Sequence, residues 1–152
     1  MPREPALATL RELARCFQAF EAYSATYIRT LGLTPPQFDI VATLGNTAGM
    51  SFKELGEKTL ITKGTLTGVV DRLEARGIVR RVGSDADRRS TRVELTDAGN
   101  TLFDEVFPGI VARTKLVFDI LGEDERQALE AGLRRLRETF ESFPKDKNEV
   151  NA

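Results

Sequence analysis

Thr62-Lys63-Gly64-Thr65-Leu66-Thr67-Gly68-Val69-Val70-Asp71-Arg72-Leu73-Glu74-Ala75-Arg76-Gly77 runs directly into Ile78-Val79-Arg80-Arg81-Val82, and the change of period between the two decides the fold. In the first segment Leu66, Val69, Val70 and Leu73 recur at three- and four-residue spacing, which gives one apolar face of a helix over 62–76. Gly77 suits the end of that helix, where the chain must turn with positive φ. Beyond it, 79–82 is a short strand-like run, and Thr91-Arg92-Val93-Glu94-Leu95 alternates as a half-buried strand does. The residues between them, Gly83-Ser84-Asp85-Ala86-Asp87-Arg88-Arg89-Ser90, are rich in turn formers and charge. The segment therefore reads as a helix followed by a two-stranded hairpin with a long charged tip.

Working backwards, three helix starts share one grammar. Thr34 is placed to cap, Pro35 fits the first helical position and Gln37 completes a capping box, with Leu33 and Phe38 as a hydrophobic staple. Ser51, Glu54 and the pair Met50/Leu55 repeat it, and Thr62 with Ile61/Leu66 repeats it in part. Helices are expected at 34–46 and 51–58. A longer one covers 6–31, where Leu10, Leu13, Phe17, Phe20, Ser24 and Ile28 keep helical spacing before Gly32. Working forwards, Thr96-Asp97 opens a helix over 97–121, expected to kink at Pro108-Gly109 because proline removes a ladder donor. A last helix over 124–143 carries Leu129, Leu133, Leu136, Phe140 and Phe143 as a narrow stripe, the pattern of a helix–helix seam. That seam serves either the chain's own first helix or a second copy. The amount of apolar helix surface in so short a chain favours the second copy.

Composition narrows the function. Among 152 residues there is no histidine and one cysteine, Cys16. The usual general base, zinc ligand and pH switch are thereby missing, and so is an internal disulfide. No cofactor, metal or catalytic set is suggested, and no enzyme is expected. No apolar run approaches the ~18 residues that span a bilayer, and the N-terminus lacks the layout of a secretion signal. A soluble, cytoplasmic chain is expected. The net charge of −1 is unevenly spread: residues 51–96 hold ten basic and seven acidic side chains, a local +3, against −4 elsewhere. A basic middle between acidic flanks is the footprint of a nucleic-acid module on another scaffold.

A helix, a tight turn, a second helix and a hairpin form the arrangement in which the second helix enters the major groove of duplex DNA. Thr62, Gly64, Thr65, Thr67 and Gly68, small or hydroxylated and able to approach bases and phosphates closely, fall at the start of that helix together with the cation Lys63. Arg72 and Arg76 reach further along. A polar helix face alone is ordinary solvated surface; the adjoining arginines Arg88, Arg89 and Arg92 are what raise it to a candidate interface.

The residues here match a family pattern. The run from Asp85 to Gly99 resembles the wing signature of the MarR family, Asp-x-Arg-small, a β run, then Leu-Thr-x-x-Gly. Gly64-Thr65-Leu66-Thr67 and Val70-Asp71-Arg72-Leu73-Glu74-x-x-Gly77 resemble that family's recognition helix, and Leu33-Thr34-x-x-Gln37-Phe38 its second-helix entry. The resemblance implies a mainly α fold with a small β-wing, a winged helix-turn-helix domain with helical dimerisation arms, six helices and a two-stranded wing in all. It implies 34–96 as the DNA-binding domain, 1–33 with 97–143 as the dimerisation region, and 144–152 as a flexible tail. It further implies a homodimer on double-stranded DNA, usually as a repressor on a palindromic operator. Arg89 would enter the minor groove, Asp87 would orient it, and Arg88 and Arg92 would meet phosphates. A small aromatic carboxylate or phenol is a common effector in the family. Arg15, Tyr23, Tyr27 and Phe38 are candidates to line its pocket, although core aromatics and solvated arginines explain them as well. Cys16, beside Phe17 and Phe20, is expected to be a buried, inert thiol. A winged-helix scaffold that binds protein instead of DNA is the alternative.

Overall fold

The computed structural model describes residues 4–83 and 91–145. Its elements are α1 Pro5–Thr30, α2 Pro35–Leu44, β1 Met50–Ser51, α3 Phe52–Lys58, α4 Lys63–Ala75, β2 Val79–Val82, β3 Arg92–Leu95, α5 Asp97–Phe118 and α6 Glu123–Ser142. The chain divides into two compact units, 1–107 and 108–152, with the boundary inside α5 at Pro108. Six helices with a small antiparallel sheet give the mainly α architecture that the sequence implies.

In the first unit α2 is the hub, packing on α1, α3, α4 and β3. Its start is fixed locally. The Thr34 amide donates to Gln37 Oε1 at 3.1 Å, and the Gln37 amide donates to Thr34 Oγ1 at 3.4 Å. The same reciprocal box starts α3: Ser51 N to Glu54 Oε2 at 2.8 Å and Glu54 N to Ser51 Oγ at 3.1 Å. Each box satisfies two backbone donors that the first turn leaves unpaired. Both staples are buried as expected, Leu33 with Phe38 and Met50 with Leu55. The core consists of Ile40, Val41, Leu44, Leu55, Val70, Leu73, Val79 and Val93, all at the interior of this unit.

The sheet contains the expected two-stranded wing, β2 with β3, and adds a third strand. Its order is β1-β3-β2, because Met50 and Ser51 pair antiparallel with Val93 and Arg92. A two-residue strand has no period to read, and its partner lies far along the chain. Met50 therefore shows in the sequence only as a staple residue.

Cys16 also departs from expectation, being exposed. Only Ile28 of α1 is buried, so the long first part of that helix meets nothing in the unit that would cover it. Leu10, Phe17 and Phe20 are each about half exposed on it. In the second unit α6 has no buried residue, and Leu129, Leu133, Phe140 and Phe143 of its stripe are open to solvent. Among the described residues no helix is long and apolar enough to cross a membrane.

Candidate nucleic-acid interface

The helix α4 divides by side as its spacing predicts. Leu66, Val69, Val70 and Leu73 are buried, whereas Lys63, Gly64, Thr65, Thr67, Gly68, Asp71 and Arg72 are exposed. Thr62 occupies the N-cap position without a side-chain capping bond. Its hydroxyl instead pairs with that of Thr65 at 2.8 Å. A side chain added at Gly64 or Gly68 would meet nothing within 4 Å. Neither glycine is thus required by packing, and each costs helix stability relative to alanine. Lys63 and Arg72 pair with none of the described residues, leaving two cations on the open face.

The turn before α4 is set from a distance. Asp39 of α2 accepts a hydrogen bond from the Leu60 amide at 2.8 Å, which ties the α3–α4 turn to the hub helix. Burial pushes the Asp39 carboxyl above its ordinary pKa, and the Leu60 bond offsets this in part. A raised acid pKa in the folded state means that stability is greatest below the unfolded value and falls as pH rises through the folded one. Asp39→Asn keeps an acceptor for Leu60 without a half-buried charge. It is expected to raise the melting temperature at pH 7, with the gain vanishing in acid; a pH series of thermal melts on both proteins checks it.

Several arginines are already engaged. Arg76 Nη1 donates to the Gly32 carbonyl at 3.0 Å and to Gln37 Oε1 at 3.3 Å, so it clasps the end of α4 to the α1–α2 turn and is not free to reach along a groove. Arg92 is exposed but donates to the Gly49 carbonyl, anchoring β3 beside β1. With Ser51, Arg92 contributes to holding the Glu54 carboxyl below its ordinary pKa, the Ser51 amide bond being the largest cause. Arg80 pairs across the sheet with Glu94. Arg81 binds Asp71 and Glu74 of α4, the latter at 2.7 Å, and lies 5.5 Å from the centre of the Phe52 ring. Burial disfavours the Arg81 cation, but the two carboxylates outweigh it and hold its pKa above the ordinary value. These bonds join residues distant in sequence, and only the charge types hint at them.

Asp87, Arg88 and Arg89 lie outside the described residues. Of the candidate effector residues, Phe38 is buried in the core, Tyr27 is half-buried, and Tyr23 and Arg15 are exposed on α1. From Arg15 to Tyr27 the helix rises about 18 Å. A groove of about 570 Å³ lies within the second unit, lined in part by Lys115, Phe118, Asp119, Arg126, Leu129 and Leu133.

Known proteins share this arrangement. The MarR family model matches residues 31–90. The transcriptional repressor NicR of Pseudomonas putida is 33% identical over 110 residues, 72% of this chain and 70% of NicR. The transcriptional regulator MhqR of Bacillus subtilis is 28% identical over 88% of this chain and 92% of its own. The structure of BpsR from Bordetella bronchiseptica, whose DNA binding is regulated by 6-hydroxynicotinic acid, superposes with a TM-score of 0.76 at 30% identity, covering 86% of this chain and 98% of that one. With an exposed, small-residue helix beside a β-wing, and relatives of this identity along most of its length, the chain belongs to the MarR family of DNA-binding transcriptional regulators.

Proposed function

We propose that the chain acts as a homodimeric repressor on a palindromic operator. The start of α4 lies in the major groove and Arg89 reaches into the minor groove. The carrying observation is the exposed face of α4: Lys63, Thr65, Thr67 and Arg72 stand open around Gly64 and Gly68, whose Cβ positions are empty. An A·T-rich minor groove is narrow and strongly negative, the setting in which an inserted arginine gains most. Asp87 orients Arg89, while Arg88 and Arg92 face flanking phosphates, Arg92 with part of its guanidinium already on Gly49.

The homodimer reading is supported by the rows of exposed large hydrophobic side chains on α1 and α6, since contiguous apolar surface on a small chain marks an interface. Residues 1–33 and 97–143 would form it, with 34–96 as the DNA-binding domain, and two recognition helices would stand ~34 Å apart on one face of the duplex. A small aromatic or phenolic effector that releases DNA is supported by the regulation of DNA binding of BpsR by 6-hydroxynicotinic acid, and the repressor reading by the naming of NicR as a repressor.

Selection of bound sites from random duplex DNA, repeated with phenolic and aromatic carboxylate ligands, tests this. A palindrome with half-sites one turn apart is expected. Arg89→Ala is then expected to weaken binding to the selected site at least tenfold and to flatten its salt dependence, without lowering the melting temperature. No enrichment of any duplex would leave the protein-binding scaffold as the better reading. Unchanged affinity of Arg89→Ala would remove the wing from the interface.

A further inference from the structure

Two carboxylates sit on the exposed side of the helix proposed to face DNA, where each would oppose the phosphates. Asp71 follows Thr67 by four residues and Gly68 by three, so it shares their face of α4. Its side chain is 59% exposed, and that of Glu74, three residues on, is 41% exposed. Lys63 and Arg72 are balanced by Asp71 and Glu74, which leaves α4 by itself with no net charge. Close to a duplex, each unmasked carboxylate would repel phosphates over a distance of about 10 Å at 0.1 M salt.

Arg81 of β2 is placed to offset part of their charge. One guanidinium nitrogen, Nη2, lies on Asp71 Oδ1, and the other, Nη1, lies 2.7 Å from Glu74 Oε1. The Arg81 backbone amide donates to the second Glu74 oxygen at 3.0 Å. The Arg81 side chain is only 27% exposed, less than either acid, and it rests against Phe52, the first residue of α3. A planar five-donor fork suits two carboxylates at once, as a lysine ammonium does not.

We propose that Arg81 is a positioning and masking residue for DNA binding: it offsets one of the two negative charges of Asp71 and Glu74 on the recognition helix, so that α4 and the hairpin base together present a larger net positive charge to the duplex. This rests on the reading of α4 as the DNA-facing helix. It assigns Arg81 an action through the two carboxylates and not a phosphate contact of its own.

The test uses the full chain and a labelled duplex of random sequence, with affinity measured from low to moderate salt and thermal melts alongside. Arg81→Gln is expected to bind about tenfold more weakly than wild type at low salt, with the gap closing as salt screens the exposed acids. Arg81→Lys, which keeps the charge but not the fork that holds both carboxylates, should fall between wild type and Arg81→Gln. The triple variant Arg81→Gln, Asp71→Asn, Glu74→Gln should recover wild-type affinity to within about threefold. A triple variant as weak as Arg81→Gln, or an Arg81→Gln protein that binds like wild type, overturns the proposal. Should Arg81→Gln melt too low to assay, the double variant Asp71→Asn, Glu74→Gln decides with Arg81 intact. It is expected to bind at least threefold tighter than wild type at low salt, and equal or weaker binding overturns the masking role. Wild-type protein that binds no duplex at any salt overturns the DNA reading itself, and the masking role with it.

Discussion

Gly99→Ala is expected to lower stability by roughly 3–5 kcal/mol, at the upper end of overpacking substitutions. A Cβ at Gly99 would stand 2.1 Å from the Ile78 carbonyl oxygen and 3.2 Å from Leu95 Cβ. The obstacle is backbone, so no side chain can swing aside. That carbonyl also accepts from the Thr96 amide at 3.0 Å and from the Thr96 hydroxyl at 3.2 Å, while the Gly99 amide donates back to Thr96 Oγ1 at 3.1 Å. Lifting the first turn of α5 away from Ile78 would break this set together. Helix propensity pulls the other way, since alanine gains about 1 kcal/mol over glycine within a helix, and the steric cost exceeds it several-fold. A thermal melt should show a drop of about 10 °C or more. Gly68→Ala, where the added methyl meets open space, serves as the control and should melt at or above wild type. A Gly99→Ala melt within about 2 °C of wild type would mean that α5 does not approach Ile78 this closely.

Gly45→Ala is the second large effect, with a different remedy. Its Cβ would fall 2.1 Å from Cε2 of Phe103 and 2.4 Å from Cζ. Here the obstacle is a ring, but a confined one: Phe103 is 5% exposed and stacked on Phe107 at 4.7 Å between centroids. A cost of about 2–3 kcal/mol is expected. In a Phe103→Leu background the smaller side chain leaves room, and the same substitution should cost less than about 1 kcal/mol. Urea denaturation of the four proteins in the cycle reads the coupling directly. Costs that simply add would show that the two residues are not in contact.

Both predictions concern glycines whose need is invisible locally, and they mark the boundary of what the residues disclose. Helix starts were legible because their determinants lie within four residues: Thr34 with Gln37, and Ser51 with Glu54, form their boxes in the structure as read from spacing alone. The sidedness of α4 was legible for the same reason, since a period of 3.6 places Leu66, Val69, Val70 and Leu73 together wherever the helix docks. The basic cluster of 51–96 was legible as a count, but not as an arrangement. Arg76 and Arg72 look alike in sequence, yet the first clasps Gly32 and Gln37 while the second stands open.

The sequence by itself determined the order and type of nearly all the elements, the apolar face of α4 and the kinship with the MarR pattern, because each is written in short-range spacing. Only the tertiary structure decided which charges remain for a partner, that Met50 and Ser51 add a third strand, that Cys16 is uncovered, and that Gly45 and Gly99 admit no side chain. Each of these depends on what a distant part of the chain brings alongside. Hydrogen bonds, ion pairs and close approaches between such parts are fixed by packing in three dimensions, and local periodicity carries no record of them.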